Sequence, residues 1–261
     1  MKTILNHLFT ASLYLLMLVA SRGLAQSNSA PTSTTNPQAV LYTAYTTNSL
    51  TLWKQGVSML QETYSANPED ESHLLALTRA QMGLLSSTMA SEDEATFNTY
   101  KGAVQDNIDK LMAHNPKNAA AHAMQAELYG LVMGFSPMKG MLLGMKSSSH
   151  IEKALKYDNT LPYAWLQRGS SKLFTPGMFG GSYKEAIKSY KEAIRLLEAQ
   201  ADLTHNWQYL EALAWYGVAL QKTDKHQEAV TVYKKALEVA PDFNWVKYSL
   251  LPSAEKGQST F

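Results

Sequence analysis

The fold is decided by LEALAWYGVALQKTDKHQEAVTVYKKALEVAP, the stretch from Leu210 to Pro241. Two runs with the apolar spacing of helices flank a polar turn at residues 222–225. The pattern is carried by five residues: Gly217, Ala229, Tyr233, Ala236 and Pro241. Small residues let two helix backbones approach closely, and Tyr233 is expected to fill the gap against the next hairpin. The stretch therefore predicts an antiparallel helix hairpin that stacks on others.

The same pattern recurs upstream. In residues 162–193 it is carried by Trp165, Gly169, Ala186, Tyr190 and Ala193. A loop at 175–181 adds about five residues to this hairpin, and the region 134–148 adds about nine to the hairpin before it. Residues 38–118 keep the helical periodicity but match less well, and no segment shows the alternation of a strand. We therefore expect an all-α chain of helix hairpins.

At these positions the chain resembles the tetratricopeptide repeat (TPR) superfamily, whose repeat is about 34 residues long. The resemblance is specific over residues 119–241 and looser over 38–118. It implies a TPR-like α-solenoid, a right-handed superhelix of antiparallel helix hairpins. About three to five repeats are expected, with diverged N-terminal repeats.

Two stretches resemble a narrower group, the exported TPR proteins of Gram-negative bacteria. One runs from Ser136 to Leu155, and the other runs from Phe174 to Gly181 and contains a Pro-x-x-Phe-Gly-Gly element. The second is also similar to an element in the helical-repeat component of some TRAP transporters. The group implies binding or assembly rather than catalysis.

The N-terminus has the form of a secretory signal. Residues 1–25 combine Lys2, an apolar run shorter than a membrane span, and the small-x-small site at Ala25. We expect a flexible leader at 26–37, the helical-repeat domain at 38–251 and a tail at 252–261. This predicts a periplasmic or secreted protein with no integral membrane segment after cleavage. The net charge is only +1, which argues against a nucleic-acid partner.

Partner-binding candidates follow from the resemblance, because the first helix of each hairpin lines the concave groove in this superfamily. The groove candidates are Met124, Glu127, Tyr163, Gln167, Ser170, Phe174, Trp215 and Lys222. This set is aromatic and amide-rich and lacks a basic cluster for an acidic peptide tail. It favours a peptide or a small apolar ligand. In the alternative interpretation, the protein's own loops occupy the groove.

Both insertions allow two interpretations. In the loop at 174–181, Met178 and Phe179 form an apolar docking patch, or the loop is an elongated turn in which Ser182 and Glu185 cap the next helix. The Met-rich region 134–148 is a lid over the groove or a plug in the core. It is not a phosphate loop, because Met145 separates the glycine from Lys146 and no strand precedes it.

No catalytic constellation is evident. No two histidines have the spacing of a helix-borne zinc site, so neither a metal nor a cofactor is expected. The sequence predicts a non-enzymatic protein- or peptide-binding scaffold in the cell envelope. The alternative is a helical-repeat protein that binds a small apolar ligand for an uptake system. A hydrolase would require convergent polar residues in one pocket, for instance His122 or His150 facing an acid.

Overall fold

The computed structural model describes residues 36–259, and every regular element in that range is a helix. The helices are α1 Pro37–Thr47, α2 Leu50–Ala66, α3 Glu71–Ala90, α4 Glu94–His114, α5 Ala119–Phe135, α6 Gly140–Tyr157, α7 Pro162–Phe174, α8 Tyr183–Glu198, α9 Trp207–Gln221, α10 His226–Val239 and α11 Leu251–Glu255. Short 3-10 turns at Pro137–Lys139 and Gly177–Phe179 and a π-helical turn at Val246–Leu250 complete the chain. The predicted signal peptide and all but the last two residues of the predicted leader lie outside the described residues.

Polar side chains fix the starts of most of these helices. Ser182, for example, accepts a hydrogen bond from the backbone N–H of Glu185 at 3.3 Å, which is the cap that the sequence predicted. The other caps of this kind are Asn36, Ser49, Asp70, Asp93, Asn118 and Asn206. Each cap satisfies a backbone donor that the helix leaves without a partner. The turns are therefore set locally, and each helix reverses against the one before it.

Consecutive helices pair into five antiparallel hairpins in the described part of the chain, α1–α2 to α9–α10. This confirms the expected right-handed superhelix and its repeat number. The first helices of the hairpins form an inner layer, in which α3 contacts α5, α5 contacts α7 and α7 contacts α9. Helix α1 contacts both α3 and α9, so the inner layer closes into a ring. We call these five the inner helices.

Aromatic side chains hold the ring closed where the first hairpin meets the last one. Trp207 of α9 packs edge-to-face on Trp53 of α2, with 5.2 Å between ring centroids. Tyr45 of α1 lies 5.6 Å from Trp207 and 5.2 Å from Phe243. The hydroxyl of Tyr42 donates to the backbone carbonyl of Val239 at 3.2 Å. These side chains form the closing seam, which joins hairpins that are remote in sequence.

The small and large repeat residues pack as their chemistry requires. A Cβ on Gly169 would lie 2.6 Å from Cε1 of Tyr190, and a Cβ on Gly217 would overlap the Tyr233 ring. Tyr233 therefore fills the space over a glycine of its own hairpin, rather than only the gap to the next one. The alanines of the pattern are fully buried: Ala186, Ala193, Ala229 and Ala236. Trp165 is half-buried and Pro241 is exposed just beyond α10.

We expect Gly217→Ala to lower the free energy of unfolding by about 1–3 kcal/mol, because the new methyl group overpacks the contact with Tyr233. The matched control is Gly102→Ala in α4, where a Cβ meets nothing within 4 Å. That change should raise the stability by up to about 1 kcal/mol, since alanine favours the helix. Urea unfolding of both variants is the measurement. Equal shifts in one direction would contradict the packing explanation.

Region 134–148 and the residues after 251 are more regular than the sequence suggested. Region 134–148 is mostly helical, since α6 begins at Gly140 and Met and Leu are good helix formers. The chain also stays folded past residue 251: Ala254 is 2% exposed, and Gln221 donates to the carbonyl of Gln258 at 2.7 Å. These contacts extend the C-terminal cap of the last hairpin. None of the described helices is long and apolar enough to cross a membrane.

Candidate functional site

A buried charge cluster lies at the centre of the inner layer. Arg79 of α3 places Nη1 3.2 Å from Oε2 of Glu127 on α5, and Nη2 3.1 Å from Oε2 of Glu211 on α9. The three side chains are 14%, 9% and 14% exposed. One cation from the second hairpin therefore joins carboxylates of the third and the fifth.

The neighbouring polar groups complete the hydrogen bonding of this cluster. Glu127 accepts from the hydroxyl of Tyr163, from the Gln167 amide at 3.0 Å and from the Ser86 hydroxyl at 3.0 Å. The Arg79 guanidinium carbon lies 3.9 Å from the Tyr163 ring centroid and 4.4 Å from that of Trp207. With its amide oxygen turned toward the guanidinium, Gln208 accepts from Nε and Nη2 as well. We call Arg79, Glu127, Tyr163, Gln167 and Glu211 the central network.

The central network occupies the space where the sequence predicted an open groove. Met124, Tyr163 and Gln167 are only 1%, 4% and 6% exposed, so these three do not face an accessible surface. Glu127 is held inside, and the Ser170 hydroxyl lies 3.1 Å from the hydroxyl of Tyr190. The reason is ring closure, which brings the inner helices into contact with one another. Helices, and not the loops of the alternative interpretation, fill this part of the groove.

Burial changes the proton affinity of the network. The pKa of Glu211 is raised from 4.5 to about 7, chiefly because burial disfavours the carboxylate. The negative charge of Glu127 adds to this rise, while Arg79 opposes it. Burial also raises the pKa of the Tyr163 hydroxyl well above its usual value. The network holds two acids against one cation, and it takes up a proton near neutral pH.

We expect Glu211 to make the protein less stable as pH rises from about 4.5 to about 7. In this window the unfolded chain has lost the proton that the folded chain still binds, so the free energy of unfolding falls. The total loss is about 3 kcal/mol and ends above the folded pKa.

Urea unfolding of the wild type and of Glu211→Gln across this range gives the measurement. The difference between the two proteins isolates Glu211, because the other groups titrate alike in both. His150, whose pKa is lowered to about 4, is one of them, and its contribution to stability falls as pH falls. Glu228→Gln at an exposed ion pair is the control and should keep the wild-type profile. A constant difference between wild type and Glu211→Gln would contradict the prediction.

A row of aromatic side chains remains accessible. Phe174, the last residue of α7, packs edge-to-face on Trp215 of α9 with 5.1 Å between ring centroids. Trp215 packs in turn on Trp245, at 5.0 Å. Phe174 is 61% exposed and the two tryptophans are half-buried. These three residues form the aromatic row, which includes two of the predicted partner-binding residues.

The loop after Phe174 is a shaped turn with an exposed apolar tip. Gly180 adopts φ +94°, and a Cβ on Gly181 would overlap the carbonyl oxygen of Thr175. Lys172 Nζ donates to the Gly180 carbonyl at 2.9 Å. The loop thus has the structural role that the glycines suggested. The two residues of the loop that were predicted to bind a partner are exposed, Met178 at 85% and Phe179 at 67%. The remaining candidate, Lys222, lies elsewhere, half-buried at the end of α9.

Two histidines that lie apart in sequence come together. His122 is 5% exposed, and its Nδ1 lies 2.9 Å from Nδ1 of His150. His122 Nε2 donates to the carbonyl of Pro116 at 3.0 Å, so in the neutral pair His150 Nδ1–H donates to His122. Each of the two faces the other and not an acid, so this pair lacks the arrangement that the hydrolase hypothesis required. No group of three or more metal-ligating side chains converges anywhere within residues 36–259.

Two cavities lie away from both insertions. One of about 290 Å³ is at the α1–α2 and α3–α4 turns, and one of about 240 Å³ lies beside Arg79, His205 and Trp207. Neither is lined by residues 134–148 or 174–181. They therefore lend no support to an apolar pocket enclosed by the two insertions.

The stacked hairpins, with a large residue packed over a glycine in the fourth and fifth of them, define an α-solenoid of the TPR kind. The family model of the tetratricopeptide repeat matches residues 210–243, the last hairpin. A similar solved structure is that of a thermophilic TPR protein from Thermus thermophilus. The TM-score is 0.55 at 19% identity, covering 85% of this chain and 100% of that one. This likeness shows the fold. A sequence search of curated proteins finds no match.

Proposed function

We propose that this protein is a non-enzymatic scaffold of the cell envelope that binds a partner protein through an extended apolar segment. The aromatic row carries this proposal, because its rings remain accessible while the central network fills the middle of the inner layer. The TPR fold supports it, since stacked hairpins present extended surfaces for binding. The location in the envelope rests on the predicted signal peptide.

The aromatic row has the chemistry of a binding anchor. Phe and Trp side chains supply much of the energy of protein interfaces, because they bury a large rigid surface at low entropic cost. The edge-to-face packing of Phe174 on Trp215 fixes both rings before a partner arrives. An apolar side chain of the partner could therefore dock against Phe174 and Trp245 without reorganising the site.

Site-specific crosslinking tests the proposal. A photoreactive amino acid replaces Phe174 in the full chain, which is expressed in its own host, and mass spectrometry identifies the crosslinked proteins. The control carries the same amino acid at Tyr248, which is 71% exposed outside the row. We expect a specific partner from position 174 only. Equal crosslinking yields at both positions would contradict the scaffold proposal. A crosslink to a small apolar molecule would also contradict it and would favour the ligand-binding alternative.

Phe174→Ser provides a second readout. Removing the exposed ring should weaken capture of the partner found by crosslinking at least about tenfold, while Tyr248→Ser leaves it unchanged. Thermal unfolding of both variants shows whether the fold is intact. An unchanged affinity of Phe174→Ser would remove the row from the interface.

A further inference from the structure

A second exposed surface lies at the edge of the solenoid, on the turns of the third and fourth hairpins. Helices α5 and α7 are both antiparallel to α6 and contact each other, so their C-terminal ends reach the same edge. Each is followed by a 3-10 turn that carries an exposed methionine, Met138 in the first and Met178 in the second. We propose that this edge docks on an anionic lipid bilayer, with the apolar tips inserted among the lipid headgroups.

The apolar tips protrude instead of lining a pocket. Met138, Leu142 and Met145, at positions i, i+4 and i+7, are 101%, 64% and 74% exposed. Met178 and Phe179 on the next turn are 85% and 67% exposed. These five residues form the turn patch. Single exposed apolar residues are normal on a protein surface, but several exposed together mark an interaction site. The turn patch is therefore a candidate binding surface.

A bilayer fits the shape of the turn patch better than a folded partner does. A protein that covered convex tips on two different turns would need a matching pocket for each turn, whereas fluid lipid adapts to both. Met, Leu and Phe side chains gain free energy when they leave water. Shallow insertion recovers part of this for each residue. The sum over five side chains is sufficient for reversible membrane binding.

The charge around the turn patch points to an anionic surface. Residues 128–151 and 159–184, which contain both turns, include no Asp or Glu. Their cationic residues are Lys139, Lys146, Arg168, Lys172 and Lys184. Lys139, Lys146 and Lys184 are exposed, whereas Arg168 lies 3.9 Å from Glu185 and is partly neutralised by it. The whole chain carries only +1, so the positive charge is concentrated beside the patch.

The neighbouring turn limits the surface. The α3–α4 turn lies on the same edge and carries Glu92, Asp93 and Glu94. These acids would be repelled by anionic headgroups, so the docked area ends at the third hairpin. Basic residues near such a surface strengthen binding to anionic lipid, and added salt screens this attraction.

Vesicle co-sedimentation of the full chain tests this inference. The probes are vesicles that contain phosphatidylglycerol and vesicles of phosphatidylcholine alone. We expect preferential binding to the first, weakened by added salt. The variant Met138→Ser/Met178→Ser/Phe179→Ser should lose at least about tenfold in partition coefficient, and Lys139→Gln/Lys146→Gln should lose the preference for the anionic lipid. Tyr248→Ser is the exposed aromatic control and should bind as the wild type does.

Residues 1–25 are identical in all variants, so a difference in partition coefficient between two variants is due to the substituted residues. Unchanged partition of the triple variant, or equal binding to both kinds of vesicle, would overturn the proposal. Analytical ultracentrifugation provides a further test: a dimer that needs the turn patch and does not bind vesicles would identify a second copy as the occupant. Because the turn patch shares no residue with the aromatic row, failure of one proposal leaves the other intact.

Discussion

Arg79→Met should lower the free energy of unfolding by about 3–5 kcal/mol, because it leaves two buried carboxylates without their shared cation. Methionine preserves much of the arginine volume, so a cavity contributes little to the loss. The remaining charges, Glu127 and Glu211, lie on helices that cannot move apart without breaking the inner layer. Denaturant unfolding across neutral and alkaline pH measures the effect, which should grow with pH, because the loss of Arg79 removes an interaction that lowers the pKa of Glu211 and lets this carboxyl keep its proton longer.

Two comparisons separate this effect from the loss of any arginine. Arg195→Met removes an exposed ion pair with Glu192, in which the arginine side chain is 62% exposed, and it should leave the unfolding midpoint unchanged. Adding Glu211→Gln to Arg79→Met should restore part of the stability, because it removes one of the uncompensated charges. If the double variant is less stable than Arg79→Met, uncompensated charge is not the cause.

Trp207→Ala should cost about 3–5 kcal/mol and should also separate the ends of the solenoid. Trp207 is 5% exposed and contacts Trp53 and Tyr45 in the closing seam and Arg79 in the central network. Its loss leaves a cavity between hairpins that no turn holds together. We expect hydrogen exchange to rise more in α1 and α2 than in α10, because the last hairpin keeps its own glycine–tyrosine packing.

The control for this change is Tyr248→Ala, which removes an aromatic side chain that is 71% exposed. It should shift the stability by less than about 0.5 kcal/mol. A double-mutant cycle with Trp53→Ala then measures the coupling across the seam directly. Additive effects of the two tryptophans, or uniform exchange throughout the helices, would show that the seam does not join the ends.

The local pattern of the hairpins could be predicted because each of its causes is short in sequence. The spacing of Gly217 and Tyr233 predicted the hairpin, although Tyr233 was expected to fill the gap against the next hairpin and its ring instead packs over Gly217. Ser182 could be identified as a cap from the residues that follow it. Phe174 was predicted to line the groove from the resemblance to the TPR superfamily, and its ring is 61% exposed.

The buried network could not be predicted in this way. Arg79 and Glu127 are 48 positions apart, and Arg79 and Glu211 are 132 apart, on helices whose relative rotation depends on every hairpin between them. The sequence pattern is weakest in the first two hairpins, so neither Arg79 nor ring closure could be anticipated. An open groove was expected for that reason. The signal in the sequence that could have pointed to the buried network is Arg79, a charged residue within the otherwise uncharged run LLALTRAQMGLL at 74–85.

The closing seam also has a consequence for the order of folding. Tyr42 and Val239 are 197 positions apart, whereas the contacts within each hairpin are local. Loop-closure entropy makes such a remote contact slow to form unless the intervening chain is already structured. The hairpins should therefore stack first and the seam should close last. A nascent chain would expose its inner face, with the arginine and both glutamates in water, until the final hairpin is complete.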